Sequence, residues 1–187
     1  KLRTDAHSFW PKNKYARLTS EDLKTLKYCK HLQAIDLGHQ AITDLNIFVE
    51  LQDLRILILV DNKITDITPL AKLKKLEYLE VYVLNKSYVD LSPLKECTNL
   101  IDLDLLYYGT IKDVDFLLEF DKLERMYLVS CQISQQNFNK VKATYPNAEI
   151  VKTMDGNADT NGWRKSYRYH DMRDVLNMNM LTKSFEH

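Results

Sequence analysis

The residues that could carry catalytic or metal chemistry are dispersed along the chain. His31 lies two residues after Cys29, and no second cysteine or histidine nearby would complete a metal site. His170 and Asp174 are four residues apart, a spacing that is more typical of a surface pair on a helix than of a catalytic pair. The sequence contains no glycine-rich phosphate loop and no nucleophile elbow. We therefore predict that the protein is not an enzyme and that it uses no cofactor.

A polar loop over 155–162 has the spacing of calcium ligands but lacks the residues that complete such a site. Oxygen-bearing side chains alternate at Asp155, Asn157, Asp159 and Asn161. An EF-hand loop needs glycine at its sixth position and glutamate at its twelfth. These positions are Thr160 and Ser166 here, so we predict a soluble linker rather than a metal site.

Composition limits the classes of function. Lys plus Arg and Asp plus Glu number 26 each, so the net charge is zero, which argues against nucleic acid as the partner. No apolar run is long enough to cross a bilayer. The cysteines lie far apart in the sequence and are predicted to be unpaired thiols in the core: Cys29, Cys97 and Cys131.

The elements that position the polar residues form an internal repeat. In the clearest unit, strand-like residues over 56–60 are followed by apolar residues three apart, at Ile67, Leu70 and Leu73. Equivalent units begin at positions 32, 54, 76, 100 and 123, with steps of 22, 22, 24 and 23 residues. A strand, a turn and a short helical return, repeated at this interval, predict a solenoid.

The motif L-x-x-L-x-L-x-x-N-x-I-x-D-I-x-P-L, complete from Leu54 to Leu70, resembles the leucine-rich-repeat family in its short internalin-like or phosphatase-regulator-like subclass. The resemblance covers about residues 18–151. It implies an α/β fold, a right-handed solenoid with a curved parallel β-sheet, an N-terminal helical cap and a C-terminal tail. The turn asparagine of the family, Asn62 here, is replaced by Gln40 in the first unit and Cys131 in the fifth, so no continuous asparagine ladder is expected.

One face of the predicted sheet has the composition of an interface. Residues between the core leucines point to the concave side, where a solvated sheet would be polar. Aromatic, aliphatic and acidic residues occur there instead, a mixture that is typical of recognition surfaces. The predicted binding residues are Asp36, Ile56, Ile58, Val60, Tyr78, Glu80, Tyr82, Asp102, Asp104, Tyr107 and Tyr127.

Two interpretations of this face follow from its composition. An exposed apolar and acidic surface would bind a protein or peptide that offers Lys or Arg. Replacing Tyr82 and Tyr107 with alanine is then expected to abolish partner capture without lowering Tm. Alternatively, the N-terminal arm or the C-terminal tail folds across the face and covers it.

The chain divides into three predicted segments. Residues 1–31 form an arm with Phe9, Trp10 and Tyr15 and a capping helix over 19–30, and residues 32–151 form the array of five repeats and a closing strand. Residues 152–187 form the polar loop and a tail that packs on the array. The tail pattern W-R-x-x-Y-R-Y-x-x-M-R-D-x-L-x-M, which begins at Trp163, is similar to tails of bacterial leucine-rich-repeat proteins, and 170–177 is a predicted helix.

We therefore predict a non-enzymatic protein- or peptide-binding module that uses the concave face. Its expected location is extracellular or at a cell surface, with the cytoplasm as the alternative. Two other functions remain open at this stage: a structural spacer within a larger surface protein, and an intracellular regulatory subunit of an enzyme.

Overall fold

The computed structural model describes residues 2–3, 17–84 and 89–175, with side chains over 17–84 and 89–171. The predicted aromatic arm with Phe9, Trp10 and Tyr15 lies outside the described residues. The same is true of the last two residues of the helix that we predicted over 170–177.

Each repeat contributes one parallel strand to the main sheet. In chain order the strands are β1 (Leu2–Arg3), β2 (Ala34–Asp36), β3 (Ile56–Leu59), β4 (Tyr78–Val83), β5 (Asp102–Tyr107), β6 (Thr110–Ile111), β7 (Arg125–Val129), β8 (Gln132–Ile133) and β9 (Glu149–Thr153). Within the described residues, seven of them form one sheet in the order β1-β2-β3-β4-β5-β7-β9, while β6 and β8 form a separate pair. All neighbours are parallel, as the repeat predicts.

The register of the sheet matches the predicted repeat boundaries. Ile56 pairs with Ala34 on one side and with Tyr78 on the other, and the same column continues to Asp102 and Arg125. Equivalent residues of successive units therefore lie side by side, about 4.8 Å apart. The predicted leucine-rich-repeat solenoid is confirmed.

The returning segments are 3₁₀ helices rather than α-helices in the first four units. They span Leu45–Phe48, Thr68–Lys72, Ser92–Glu96 and Asp115–Leu117. A 3₁₀ helix has three residues per turn, so apolar residues three positions apart lie on one side of it and face the sheet. Pro69 and Pro93 stand in the first turn of their helices, where the missing N–H needs no partner.

The recurring aspartate has a structural role at the start of each return. The Asp66 carboxylate accepts a hydrogen bond from the Thr68 N–H at 2.8 Å. Equivalent bonds of 2.8–2.9 Å form at Asp44, Asp90 and Asp113. Aspartate satisfies a free backbone donor in this way because its short side chain reaches two residues ahead.

The turns after β2, β3 and β7 adopt an unusual backbone conformation. His39, Asp61 and Ser130 adopt φ values of +58°, +51° and +55°. The next side chain then bonds the backbone of neighbouring units: the Asn62 amide donates to the Leu37 carbonyl at 2.8 Å and accepts from the Ile42 N–H at 2.9 Å. The Asn62 side chain thus joins the first two units.

The N-terminal cap is shorter than predicted. Residues Lys24–Tyr28 form a 3₁₀ helix, and it follows a turn in which Asp22 accepts from the Thr19 N–H at 2.8 Å. Leu26 is buried, but Cys29 is exposed, so its predicted place in the core is wrong. The tighter helix ends at Tyr28 and turns the next side chain away from the apolar stripe.

The C-terminal end of the array is closed by an α-helix and the last strand. Helix α1 (Gln135–Thr144) begins after Ser134, whose hydroxyl accepts from the Asn137 N–H at 3.1 Å. Strand β9 then pairs with β7. A second α-helix, α2 (Tyr167–Val175), lies beyond it in the chain.

Apolar residues are buried on both faces of the sheet. The main core fills the space between the sheet and the helical returns, and it includes Leu57, Leu79 and Leu103 at 0% exposure. A second cluster lies on the opposite, concave face and includes Ile58, Tyr78 and Val129 together with residues far along the chain. This second cluster defines the candidate site.

Candidate functional site

The concave face holds charged side chains that are removed from water. Glu80, Asp102, Asp104 and Arg125 are exposed by no more than 3%. They alternate with core leucines on β4, β5 and β7, so the pleat directs all four to the same side of the sheet. Three carboxylates face one guanidinium there, which gives these four residues a formal charge of −2.

A C-terminal segment, which we call the strap (residues 155–171), lies across this face. Trp163 of the strap is fully buried. Its indole N–H is shared between the Tyr78 hydroxyl at 2.8 Å and the Glu80 Oε1 atom at 2.9 Å. Its ring meets the Tyr127 ring edge to face, with centroids 5.1 Å apart.

Arg125 joins the strap to the sheet through three kinds of contact. Its guanidinium lies 3.5 Å from the centroid of the Trp163 ring, a cation–π contact in a desolvated site. Its Nη1 donates to the Trp163 carbonyl at 2.7 Å, and its Nε donates to Asp102 Oδ1 at 3.0 Å. Because Arg125 is fully buried, these contacts offset the loss of its hydration.

Two arginines of the strap neutralise the acidic face. Arg168 binds Asp102 with a two-pronged fork, from Nε to Oδ1 at 3.1 Å and from Nη2 to Oδ2 at 3.0 Å. It also donates to Glu124 at the rim. Arg164 lies 3.9 Å from Glu80 Oε2. Arg164 also lies 3.3 Å from the Asp159 carboxylate of the strap itself, so its charge is shared between the strap and the face, whereas Arg168 pairs with Asp102 and Glu124.

Some buried polar atoms of the face lack partners even with the strap in place. Among the described residues, Glu80 Oε2, Asp104 Oδ1 and Arg125 Nη2 make no hydrogen bond. Burial and the nearby Glu80 charge raise the pKa of Asp104 well above its usual range, although the Tyr82 hydroxyl donates to Asp104 Oδ2 at 3.3 Å. The strap therefore leaves part of the hydrogen-bonding capacity of the face unused.

The predicted linker is an ordered loop that positions Trp163. The Asp155 carboxylate accepts from the Asn157 N–H at 2.8 Å, and the Asn157 side chain accepts from the Asp159 N–H at 2.9 Å. The Asn161 side chain then accepts from the Trp163 N–H at 3.0 Å. The alternating residues that resemble calcium ligands thus bond the loop backbone, and the part of the chain that the structure describes has no cluster of three metal-binding side chains.

The structure corrects one predicted site residue. Tyr107 belongs to the main core rather than to the concave cluster. On β5 it follows Leu103 and Leu105 at intervals of two, and this parity directs its side chain to the core face. The prediction placed it one position too far along the strand.

The expected exposure of the remaining site residues is also wrong, although their position on the concave side is as predicted. Tyr82 is 7% exposed and Ile58 is 2% exposed. The other buried members are Ile56, Val60, Tyr78, Glu80, Asp102, Asp104 and Tyr127, while Asp36 is partly buried. Of the two interpretations of this face, coverage by the tail describes the structure, so the Tyr82→Ala variant should lose stability.

Sequence reasoning did not select the strap residues that complete the site. Trp163, Arg164, Arg168 and Tyr169 were assigned only to a tail. The available signal was complementarity, since a stretch rich in aromatic residues and arginine follows an acidic, aromatic face in the same chain.

None of the described helices is long and apolar enough to span a bilayer.

Comparisons with known proteins agree with the fold. No protein-family model and no curated protein matches the chain. Internalin C2 from Listeria monocytogenes is similar, with 28% identity and a TM-score of 0.59, over 70% of this chain and 55% of that one. A leucine-rich-repeat protein from Leptospira interrogans has 26% identity and a TM-score of 0.58, over 68% and 33% of the two chains.

A second internalin, InlF from Listeria monocytogenes, shares the fold. It has 23% identity and a TM-score of 0.59, over 75% of this chain and 39% of that one. The chain thus spans about half, or less, of the length of each of these structures.

Proposed function

We propose that this chain, a leucine-rich-repeat protein with internalin-like neighbours, is a non-enzymatic protein-binding module that recognises its partner through the concave face. One observation carries the proposal. The face already holds a peptide-like segment, the strap, through a buried tryptophan, a cation–π contact and an arginine fork. A surface that binds one segment in this way has the features of a peptide-binding site.

The chemistry of the face supports recognition rather than catalysis. Tryptophan, tyrosine and arginine dominate the energetics of protein interfaces, and here they meet in one desolvated cluster. Asp102 and Glu80 both hold strap groups, through the Arg168 fork and the indole N–H. Their roles are those of binding charges.

The setting of the protein is part of the proposal. Similarity to internalins supports a bacterial protein that is located at the cell surface or outside the cell, with the cytoplasm as the alternative. Two other functions predict different behaviour. A structural spacer would have no partner on the concave face, and a regulatory subunit would bind an enzyme inside the cell.

Photo-crosslinking in the native source tests the proposal. A benzophenone amino acid replaces Tyr108, which is 48% exposed and whose hydroxyl approaches Gly156, where the strap begins. The matched control places the same group at Tyr28, which is 74% exposed on the N-terminal cap.

Recognition through the concave face predicts a defined adduct from the Tyr108 position and none from Tyr28. Equal labelling at both positions, or labelling at Tyr28 alone, would contradict it. The absence of adducts at both positions would favour the spacer.

A further inference from the structure

We infer that the strap is an internal competitor, and that the external ligand of the concave face is a basic segment of a separate protein with a tryptophan followed by an arginine five residues later. This inference rests on the proposed function and names its partner class. It is based on the contacts that the strap makes and on those that it leaves unmade.

The first argument is charge complementarity. The buried part of the face, without the strap, carries three carboxylates and one guanidinium. Carboxylates in a site that excludes water are costly unless cations pair with them. Arg164 and Arg168 supply that pairing from the strap, so any segment that replaces it must also bring positive charge.

The second argument is the geometry of the two strongest contacts. The indole site between Tyr78 and Glu80 requires a flat apolar ring that also has an N–H donor, which tryptophan alone among the side chains combines at this size. The Asp102 carboxylate binds a guanidinium side-on, and each of its two oxygens accepts one hydrogen bond from that group. The five-residue interval between Trp163 and Arg168 sets the spacing that a ligand must reproduce.

The third argument is that the strap satisfies the face incompletely. Glu80 Oε2 and Asp104 Oδ1 are buried acceptors with no hydrogen-bond donor among the residues that the structure describes. Leaving such atoms unpaired lowers the stability of the closed form. A ligand that offers a donor to either oxygen gains an advantage over the strap of roughly tenfold per satisfied atom.

The covalent attachment of the strap opposes its replacement. A short tether gives a bound segment an effective concentration of about 1 mM. An external segment with the same contacts as the strap therefore binds the intact protein weakly. Weakening the strap should therefore strengthen binding of the external segment, because the two segments compete for the same contacts.

The test uses a fluorescein-labelled peptide with the sequence of residues 160–171 and the full chain in two forms. The second form carries Trp163→Ala and Arg168→Ala, which weaken the strap and leave the face intact. We expect fluorescence anisotropy to show peptide binding to this variant at least tenfold more tightly than to the unaltered chain. A scrambled peptide of the same composition is the matched control, and it should not bind.

Three results would overturn the inference. The first is a folded variant that does not bind the peptide, and the second is a scrambled peptide that binds equally well. The third is dimerisation of the unaltered chain through its strap, measured by light scattering, which would make a second copy the ligand. If the double variant does not fold, Arg168→Ala alone replaces it and the same outcomes apply.

Failure of this test leaves the crosslinking result at Tyr108 unaffected. An adduct there without peptide binding would mean that the concave side recognises a partner of other chemistry. The two proposals can therefore fail separately.

Discussion

Removing the Trp163 side chain should destabilise the protein more than any other single change in the strap. Replacing a buried aromatic residue with alanine costs about 3–5 kcal/mol, and Trp163 is fully buried between Arg125 and Tyr127. The Trp163→Phe variant keeps a six-membered ring but loses the N–H donor and the second ring of the indole. Its cost should be about 2 kcal/mol, because a small cavity adds to the lost hydrogen bond while the Tyr78 hydroxyl still donates to Glu80 Oε1.

Urea unfolding followed by far-ultraviolet circular dichroism measures both variants. Since single domains have about 5–15 kcal/mol of stability, the alanine variant should lose a large fraction of the total. Tyr167→Ala is the matched control on the same segment. Tyr167 is 69% exposed, and its loss should change the free energy of unfolding by less than about 0.5 kcal/mol.

One result would refute this reasoning. If the alanine and phenylalanine variants both unfold within about 1 kcal/mol of the parent protein, the ring does not lie in a desolvated site. The strap would then contribute little to the fold, and the charge pairing at Asp102 would need another explanation.

Three further predictions concern charge, pH and thiol chemistry. Asp102→Ala should cost more than Arg168→Ala, by about 2 kcal/mol in urea unfolding, because it leaves the buried Arg125 guanidinium and the partly exposed Arg168 guanidinium without their carboxylate. Equal costs would contradict the fork. The pKa of Asp104 is raised in the folded protein, so the contribution of the protonated carboxyl to stability is complete below pH 3.8 and is lost as pH rises through the folded pKa. Asp104→Asn cannot ionise, so its Tm should exceed that of the parent by an amount that grows from pH 4 to pH 8. A thiol reagent should label Cys29 alone in the native protein, because burial raises the pKa of Cys97 and Cys131 to about 12. Labelling of all three cysteines before unfolding would contradict the burial of these two.

The repeat architecture could be predicted because each unit fixes its own register. Leucines at fixed intervals specify the core face of every strand, and neighbouring strands align by one unit. Short-range hydrogen bonding also follows the repeat. The recurring aspartate and the turn residue at Asn62 act within a few residues of their positions or on the adjacent unit. Such short-range requirements leave a periodic trace in the sequence.

The strap could not be placed by the same reasoning. The Trp163 indole bonds Tyr78, which is 85 residues earlier, and Arg168 binds Asp102, which is 66 residues earlier. No period connects these pairs, so the sequence offers only compatible chemistry. The composition of the face indicated a ligand that offers Lys or Arg, and the strap offers Arg164 and Arg168. It could not decide between the chain's own tail and a separate partner.

Two predictions were wrong for local reasons: the side of the sheet on which Tyr107 lies, and the type of helix that precedes Cys29. Tyr107 was assigned to the concave side beside Leu106, while the structure continues the alternation to the last strand residue, so Tyr107 faces the core. Cys29 was assigned to the core on the assumption of an α-helix, and the 3₁₀ helix that forms instead ends before it.

The contacts between strap and sheet also fix the length of the array. A solenoid can usually gain or lose a whole unit, because each unit contacts only its neighbours. Here the strap starts after β9 and reaches back across β7 and β5 to Tyr78 on β4. Inserting one repeat among these strands would move Tyr78 away by about 4.8 Å and separate the tryptophan site from the arginine site. Duplication of units is therefore compatible with this architecture only before β4, and gene variants with additional repeats should carry them there.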